Sequence, residues 1–165
     1  EGTGVRLTDH AVVLTGQARE AADELLRALR ETPFAPPTLD EIRATRLTLA
    51  HVMDEDLVAA LVRDAQIVRV TDDLAFVREA HDEVARRVVG HLDGHGSITV
   101  AEARDLIGTS RKYVLPILEY LDRERYTRRV GDARQFGARA VPLAWRGAPH
   151  DAALARDASG ADAPQ

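Results

Sequence analysis

Val114, Ile117, Leu118 and Leu121 recur at i, i+3, i+4 and i+7, the spacing that lines four side chains along one face of a helix. The pattern predicts a helix over 110–125. Pro116 lies inside it at an intrinsic cost of about 3 kcal/mol, so a local kink is expected rather than a break. Similar helical spacing predicts a partner helix over 50–66 and amphipathic helices near 17–30 and 80–92. Thr38-Leu39-Asp40-Glu41 and Thr99-Val100-Ala101-Glu102 both read as capping boxes. In each, the Thr hydroxyl can accept from the amide three residues on while the Glu reaches back to the Thr amide. Each box opens a short helix.

Alternating runs interrupted by an Asp-containing turn predict β-hairpins. Val68-Arg69-Val70-Thr71-Asp72-Asp73-Leu74-Ala75-Phe76 resembles Arg128-Arg129-Val130-Gly131-Asp132-Ala133-Arg134-Gln135-Phe136, which lies 60 residues on. Val5 to Val13 carries the same pattern 63 residues earlier. Each unit therefore reads helix, short helix, helix, hairpin, which is a helix-turn-helix core with a β wing. Ser97-Ile98-Thr99 can add a short third strand. The expected class is mostly α with small β-hairpin wings (α+β), organised as tandem winged-helix domains. Residues 1–16 are expected to be the wing of a preceding unit, which makes the chain a piece of a longer protein. Residues 17–80 and 81–146 are expected to be the two complete units. The Ala-, Asp- and Pro-rich stretch 147–165 is expected to be a disordered tail.

Charge separates the two units. The chain carries a net −5, but residues 17–80 hold 8 Arg against 13 acids (−5), while residues 81–146 hold 12 Lys and Arg against 9 acids (+3). Any polyanion footprint therefore belongs to the second unit. Within it, Gly108-Thr109-Ser110-Arg111-Lys112-Tyr113 lies between the two helices of the helix-turn-helix. Cations at a helix start oppose the dipole by roughly 0.3–1 kcal/mol each, and an external anion would reverse that sign. Free amides, two hydroxyls and two cations make a phosphate site; the plainer alternative is two solvated charges after an ordinary N-cap. The wing adds Arg128, Arg129 and Arg134 where the first unit has Val68, Arg69 and Leu74. With period 2, Arg128 and Arg129 face opposite ways, so one of them can be structural. Winged helices also serve as docking modules, and fold alone does not decide function.

The stretch from Ile98 to Tyr113, with Leu115-Pro116-Ile117-Leu118-Glu119-Tyr120-Leu121-Asp122 and Thr127-Arg128-Arg129-Val130-Gly131-Asp132, closely resembles the last winged-helix domain of the selenocysteine-specific elongation factor family, SelB. Pro36-Pro37-Thr38-Leu39 and the segment from Leu57 to Phe76 resemble its penultimate winged helix. The resemblance covers about residues 17–136. It departs from the family pattern at Arg125-Tyr126, where small residues are expected, and at Ala133, where a basic residue is expected. It implies a translation GTPase that delivers selenocysteinyl-tRNA to UGA codons on the ribosome, with the last winged helices holding a hairpin in selenoprotein mRNA. By motif position, Ser110, Arg111, Lys112 and Tyr113 would lie at the RNA, with Arg128, Arg129 and Arg134 nearby. GTP and Mg would belong to the full-length protein.

No Gly-x-x-x-x-Gly-Lys-Ser/Thr loop occurs, so the GTPase is expected upstream, with no cofactor and no catalytic site in this chain. The absence of cysteine excludes disulfides and Cys-ligated zinc, and a cytoplasmic, monomeric protein with no membrane partner is expected. His91 and His95 are four apart, but Gly94 and Gly96 argue against a helix there and a metal site is not expected. Asp54-Glu55-Asp56 reads as a dipole partner at a helix start. Trp145 is expected to pack on the last unit. Two other functions fit the pattern: a winged-helix DNA-binding regulator with the 110–125 helix in a major groove, and a protein-docking spacer array.

Overall fold

The two predicted units differ in what surrounds their wings. The computed structural model describes residues 16–147 except 47, 48 and 50; the expected hairpin at 5–13 and the tail from 148 lie outside the described residues. The first unit contains α1 (Gly16–Glu31), α2 (Leu39–Thr45), α3 (Glu55–Arg63), β1 (Ile67–Arg69) and β2 (Ala75–Val77). The second contains α4 (Arg78–His95), β3 (Ile98–Thr99), α5 (Val100–Ile107), α6 (Arg111–Arg123), β4 (Thr127–Val130) and β5 (Ala133–Phe136), followed by a 3₁₀ turn at Leu143–Trp145. This is the α+β winged-helix fold. Among the described residues no helix is long and apolar enough to cross a membrane.

Local chemistry explains the elements. Both capping boxes form: Thr38 accepts from the Glu41 amide and Thr99 from the Glu102 amide, with each Glu accepting from the Thr amide. The helix predicted over 50–66 occupies Glu55–Arg63, because the Asp54 carboxylate accepts from the Leu57 amide and starts it there. The helix predicted to stop near 92 runs on through Gly94 to His95 and closes at Gly96, which is left-handed. Glycine inside a helix costs about 1 kcal/mol, and the buried stripe Ala80, Val84, Val88 and Leu92 keeps the helix packed against the core up to its last turn. His91 and His95 consequently stack, 4.2 Å between ring centres.

The repeat extends to single backbone bonds. Ala65 (φ 56°) and Arg125 (φ 64°) turn the chain from helix to wing in the left-handed region. The amides of Ala65 and Arg125 donate to the carbonyls of Val62 and Asp122, each at 3.0 Å. Those of Gln66 and Tyr126 donate to Leu61 and Leu121. All these pairs are 60 residues apart. The small residues expected before Thr127 suit this conformation, which disfavours a Cβ.

β1 pairs antiparallel with β2, with Val68 opposite Phe76. In the second unit the order is β3-β5-β4, all antiparallel, with Arg129 opposite Arg134 and Arg128 opposite Gln135. The first wing is shared between two cores. Ile67, Ala75 and Val77 belong to the core of α1–α3. Val68, Val70, Leu74 and Phe76 belong to the core of α4–α6, with Trp145. Period-2 alternation produces this division, one strand face for each unit. Val77 is both the last residue of β2 and the N-cap of α4, so residues 80 and 81 lie inside one helix.

Candidate nucleic-acid interface

α6 begins with its amides open. Gly108, at φ 75°, closes α5 by donating its amide to the Arg104 carbonyl, 2.9 Å away, and reverses the chain into Thr109 and Ser110. Ser110 occupies the N-cap of α6 without a side-chain bond to the helix, and the first turn holds no acidic residue. By contrast, α2, α3 and α5 are each capped by a Thr or Asp side chain and carry acids in the first turn. The amide of Tyr113 is taken by the Ser110 carbonyl at 3.1 Å. The positive end of the α6 dipole is thus presented with the Ser110 hydroxyl, Arg111 and Lys112, all exposed.

Arg111 and Arg129 share one cleft. Both line an open cleft between the start of α5, the outer side of α6 and the wing, with Thr99, Glu119 and Asp132 on its walls. Arg129 is exposed and its Nε donates to the Gly131 carbonyl at 3.0 Å, which steadies the side chain near the wing tip. Arg128 projects from the other face of the wing, beside Gln135 at 3.1 Å, as the strand period requires.

Arg134 departs from the sequence expectation. It is 2% exposed, on the central strand β5, and its Nε donates to Asp122 Oδ2 at 2.8 Å. Its charge is therefore already paired, and it underlies the cleft instead of standing out from the wing. Tyr113 is half-buried and packs on the second core. Thr109 is also committed elsewhere: its hydroxyl donates to the Phe34 carbonyl of the first unit at 2.7 Å.

The face of α6 opposite its buried stripe looks toward the first unit. Lys112 Nζ lies 3.8 Å from Glu41, and Arg123 donates to the Val70 carbonyl at 3.1 Å. The Lys112–Glu41 pair is exposed on both sides, which limits it to about 0–1 kcal/mol and leaves the lysine easily drawn to another anion. Arg87 completes the junction by covering the Phe34 ring at 5.1 Å. Sequence patterning carries no sign of Asp122 or Gly137. A Cβ at Gly137 would stand 2.2 Å from the Arg125 carbonyl oxygen. Among the described residues no group of three or more His, Asp or Glu is placed to hold a metal ion.

Residues 90–136 match the family model described as the winged helix of elongation factor SelB. A selenocysteine-specific elongation factor of Desulfomicrobium baculatum is 31% identical over 145 residues, 82% of this chain and 21% of that protein. The chain belongs to the SelB family of winged-helix regions. The homologous factor of Escherichia coli strain K12 is 31% identical over 101 residues, 60% of this chain and 15% of that protein. The chain therefore spans about a fifth or less of the SelB relatives it matches. The mRNA-binding domain of E. coli SelB, solved in complex with SECIS RNA, superposes with a TM-score of 0.55 at 18% identity, over 74% of this chain and 98% of that one. A bacterial selenocysteine-specific elongation factor, EF-Sec, gives 0.53 at 19% identity, over 71% of this chain and 18% of that one. These two superpositions establish the shared fold. The SelB family model falls on the unit that carries the open α6 start and the arginine-lined cleft.

Proposed function

We propose that this chain is the mRNA-hairpin-binding region of a selenocysteine-specific elongation factor, and that its second unit grips the hairpin backbone. The observation that carries this reading is the α6 N-terminus: an open helix start with Ser110, Arg111 and Lys112, and Arg129 on the same cleft. Phosphate oxygens would accept from the free amides and the hydroxyl, while the guanidiniums contribute bidentate contacts. Tyr113 would stay a supporting residue and Arg128 would reach RNA only from the outer face of the wing. In the whole protein an upstream GTPase, using GTP and Mg, would deliver selenocysteinyl-tRNA to the ribosome in the cytoplasm. A monomer is sufficient for this task.

The alternative of a duplex-DNA regulator would lay α6 deep in a major groove. Arg123, on the face of that helix opposite its buried stripe, already donates to the Val70 carbonyl of the first unit, which sets that face against the first unit and leaves little room for such insertion. An A-form stem hides its base edges, so specificity would come from backbone shape and an unpaired base. The test is binding of the chain to a selenoprotein mRNA hairpin, a fully paired stem, the unpaired sequence and duplex DNA. The hairpin should bind tightest. Arg111→Ala with Lys112→Ala should weaken it and flatten the slope of log K against log salt by about 0.7–0.9 per charge removed. Unchanged binding in that double variant refutes the site, and preference for duplex DNA refutes the function.

A further inference from the structure

Asp122 stands in the last turn of α6 and holds both strands of the wing. One carboxylate oxygen accepts from the Thr127 hydroxyl on β4, and the other accepts from Arg134 Nε on β5 at 2.8 Å. Thr127 and Arg134 are 3% and 2% exposed, so both bonds lie in a largely dry setting where a charge-assisted bond is strong. Arg134 is the cross-strand partner of Arg129. Fixing Arg134 therefore fixes the backbone that carries Arg129 into the cleft it shares with Arg111.

The first unit does without this device. Sixty residues earlier the corresponding positions are Val62, Ile67 and Leu74, with no ion pair among them. Its wing is held by packing between two cores, with a more exposed ion pair from Arg69 on β1 to Glu55 at the start of α3. The second wing has an open outer side, with Val130 exposed at its tip. β5 is paired on both sides, by β3 and β4, but β4 is an edge strand, and the internal polar clamp ties it and β5 to the end of α6. The same carboxylate neutralises Arg134, so it does not repel Arg111 and Arg129 in the cleft.

We infer that Asp122 is a positioning residue for RNA: it sets the wing against α6 so that Arg129 and Arg111 meet the hairpin backbone together. This deepens the RNA reading and rests on it.

A double-mutant cycle tests the inference, with hairpin affinity measured for the wild type, Asp122→Asn, Arg129→Ala and the pair. Asp122→Asn should raise Kd on the order of tenfold, as expected when one charge-assisted hydrogen bond is removed. In the Arg129→Ala background it should have little further effect, because the two act as one unit. Wild-type affinity in Asp122→Asn overturns the inference, as does a loss that persists in full without Arg129. Should Asp122→Asn fail to fold, Thr127→Val, which removes only the hydroxyl donor, takes its place in the cycle with the same criteria. A second readout needs no RNA. The chain has no cysteine, so Glu119→Cys and Asp132→Cys, one on α6 and one at the wing, can carry a spin-label pair. The distance distribution should be narrow in the wild type and broadened by Asp122→Asn. An unchanged distribution overturns the positioning role, whereas failure of the wild type to bind any hairpin overturns the RNA reading alone.

Discussion

Phe76 lies on the hairpin of the first unit, yet its fully buried ring belongs to the core of the second, with Trp145. Truncation to Ala should therefore destabilise the unit that does not contain it. Removing a buried Phe ring costs about 3–5 kcal/mol, against a total of roughly 5–15 kcal/mol for an ordinary domain. At about 4 °C per kcal/mol the midpoint should fall by roughly 12–20 °C. Trp145 is the chain's single tryptophan and reports on the second core, while far-UV circular dichroism reports on the helices of both units. In urea the two signals should give one transition in the wild type, and Phe76→Ala should move both by the same amount. A variant whose Trp145 transition stays in place while part of the helical signal melts early would show that the hairpin stabilises the first unit alone. The shared-wing argument would then be wrong.

Residues 81–165 expressed alone lack Val68, Val70, Leu74 and Phe76, and should bind a hydrophobic dye and melt without a cooperative transition. Gly137→Ala places a Cβ 2.2 Å from the Arg125 carbonyl oxygen, a contact that must displace backbone, so thermal unfolding should fall by several degrees without any change in charge. Acid should act through His81. Burial holds its imidazole below the usual range of 6.5, opposed by the hydrogen bond and charge of Asp82 and assisted by Arg78; Tyr120 and Trp145 face it with their rings. The neutral form is favoured on folding, so its stabilisation is present above pH 6.5 and is lost as pH falls below it. Glu79 and Glu102 are held below 4.5 by backbone hydrogen bonds, so their contributions disappear only at more acid pH. Between pH 7.5 and 5 the urea midpoint of the wild type should drop, and His81→Leu should flatten that drop; equal slopes would exclude His81 as the cause.

Much of the fold is legible because the repeat is written in local chemistry. Capping boxes, apolar spacing and the Asp-containing turns are all decided within a few residues, and each recurs near sixty. The helix over 110–125 survives Pro116 because Val114, Ile117, Leu118 and Leu121 are all buried, and packing outweighs propensity. The end of α4 differs from its sequence expectation for the same reason. Gly94 weakens a helix, but the buried stripe up to Leu92 holds it until Gly96 closes it. Sharing of the first wing is not legible, since the continuous apolar run Leu74-Ala75-Phe76-Val77 marks a strand buried on both faces without showing whose core covers each.

The site divides along the same line. Ser110, Arg111 and Lys112 are readable because a helix start is a local feature, with the cations only one or two residues from the cap. Arg134 reads as an RNA contact because it is an arginine on a wing, and the residue that pairs with it is 12 positions away on another element. No period links a helix end to the second strand of a hairpin; only the turn at Arg125 brings Asp122 beneath both strands. The contrast between the units shows what the ion pair does. In the first, an aliphatic at position 74 meets the core of a neighbour; in the second, a buried guanidinium held by a carboxylate stands at position 134. A charge there is tolerated only because it is paired. The pair in turn leaves Arg111 and Arg129 as the cations that the cleft presents, facing the side from which a polyanion can approach.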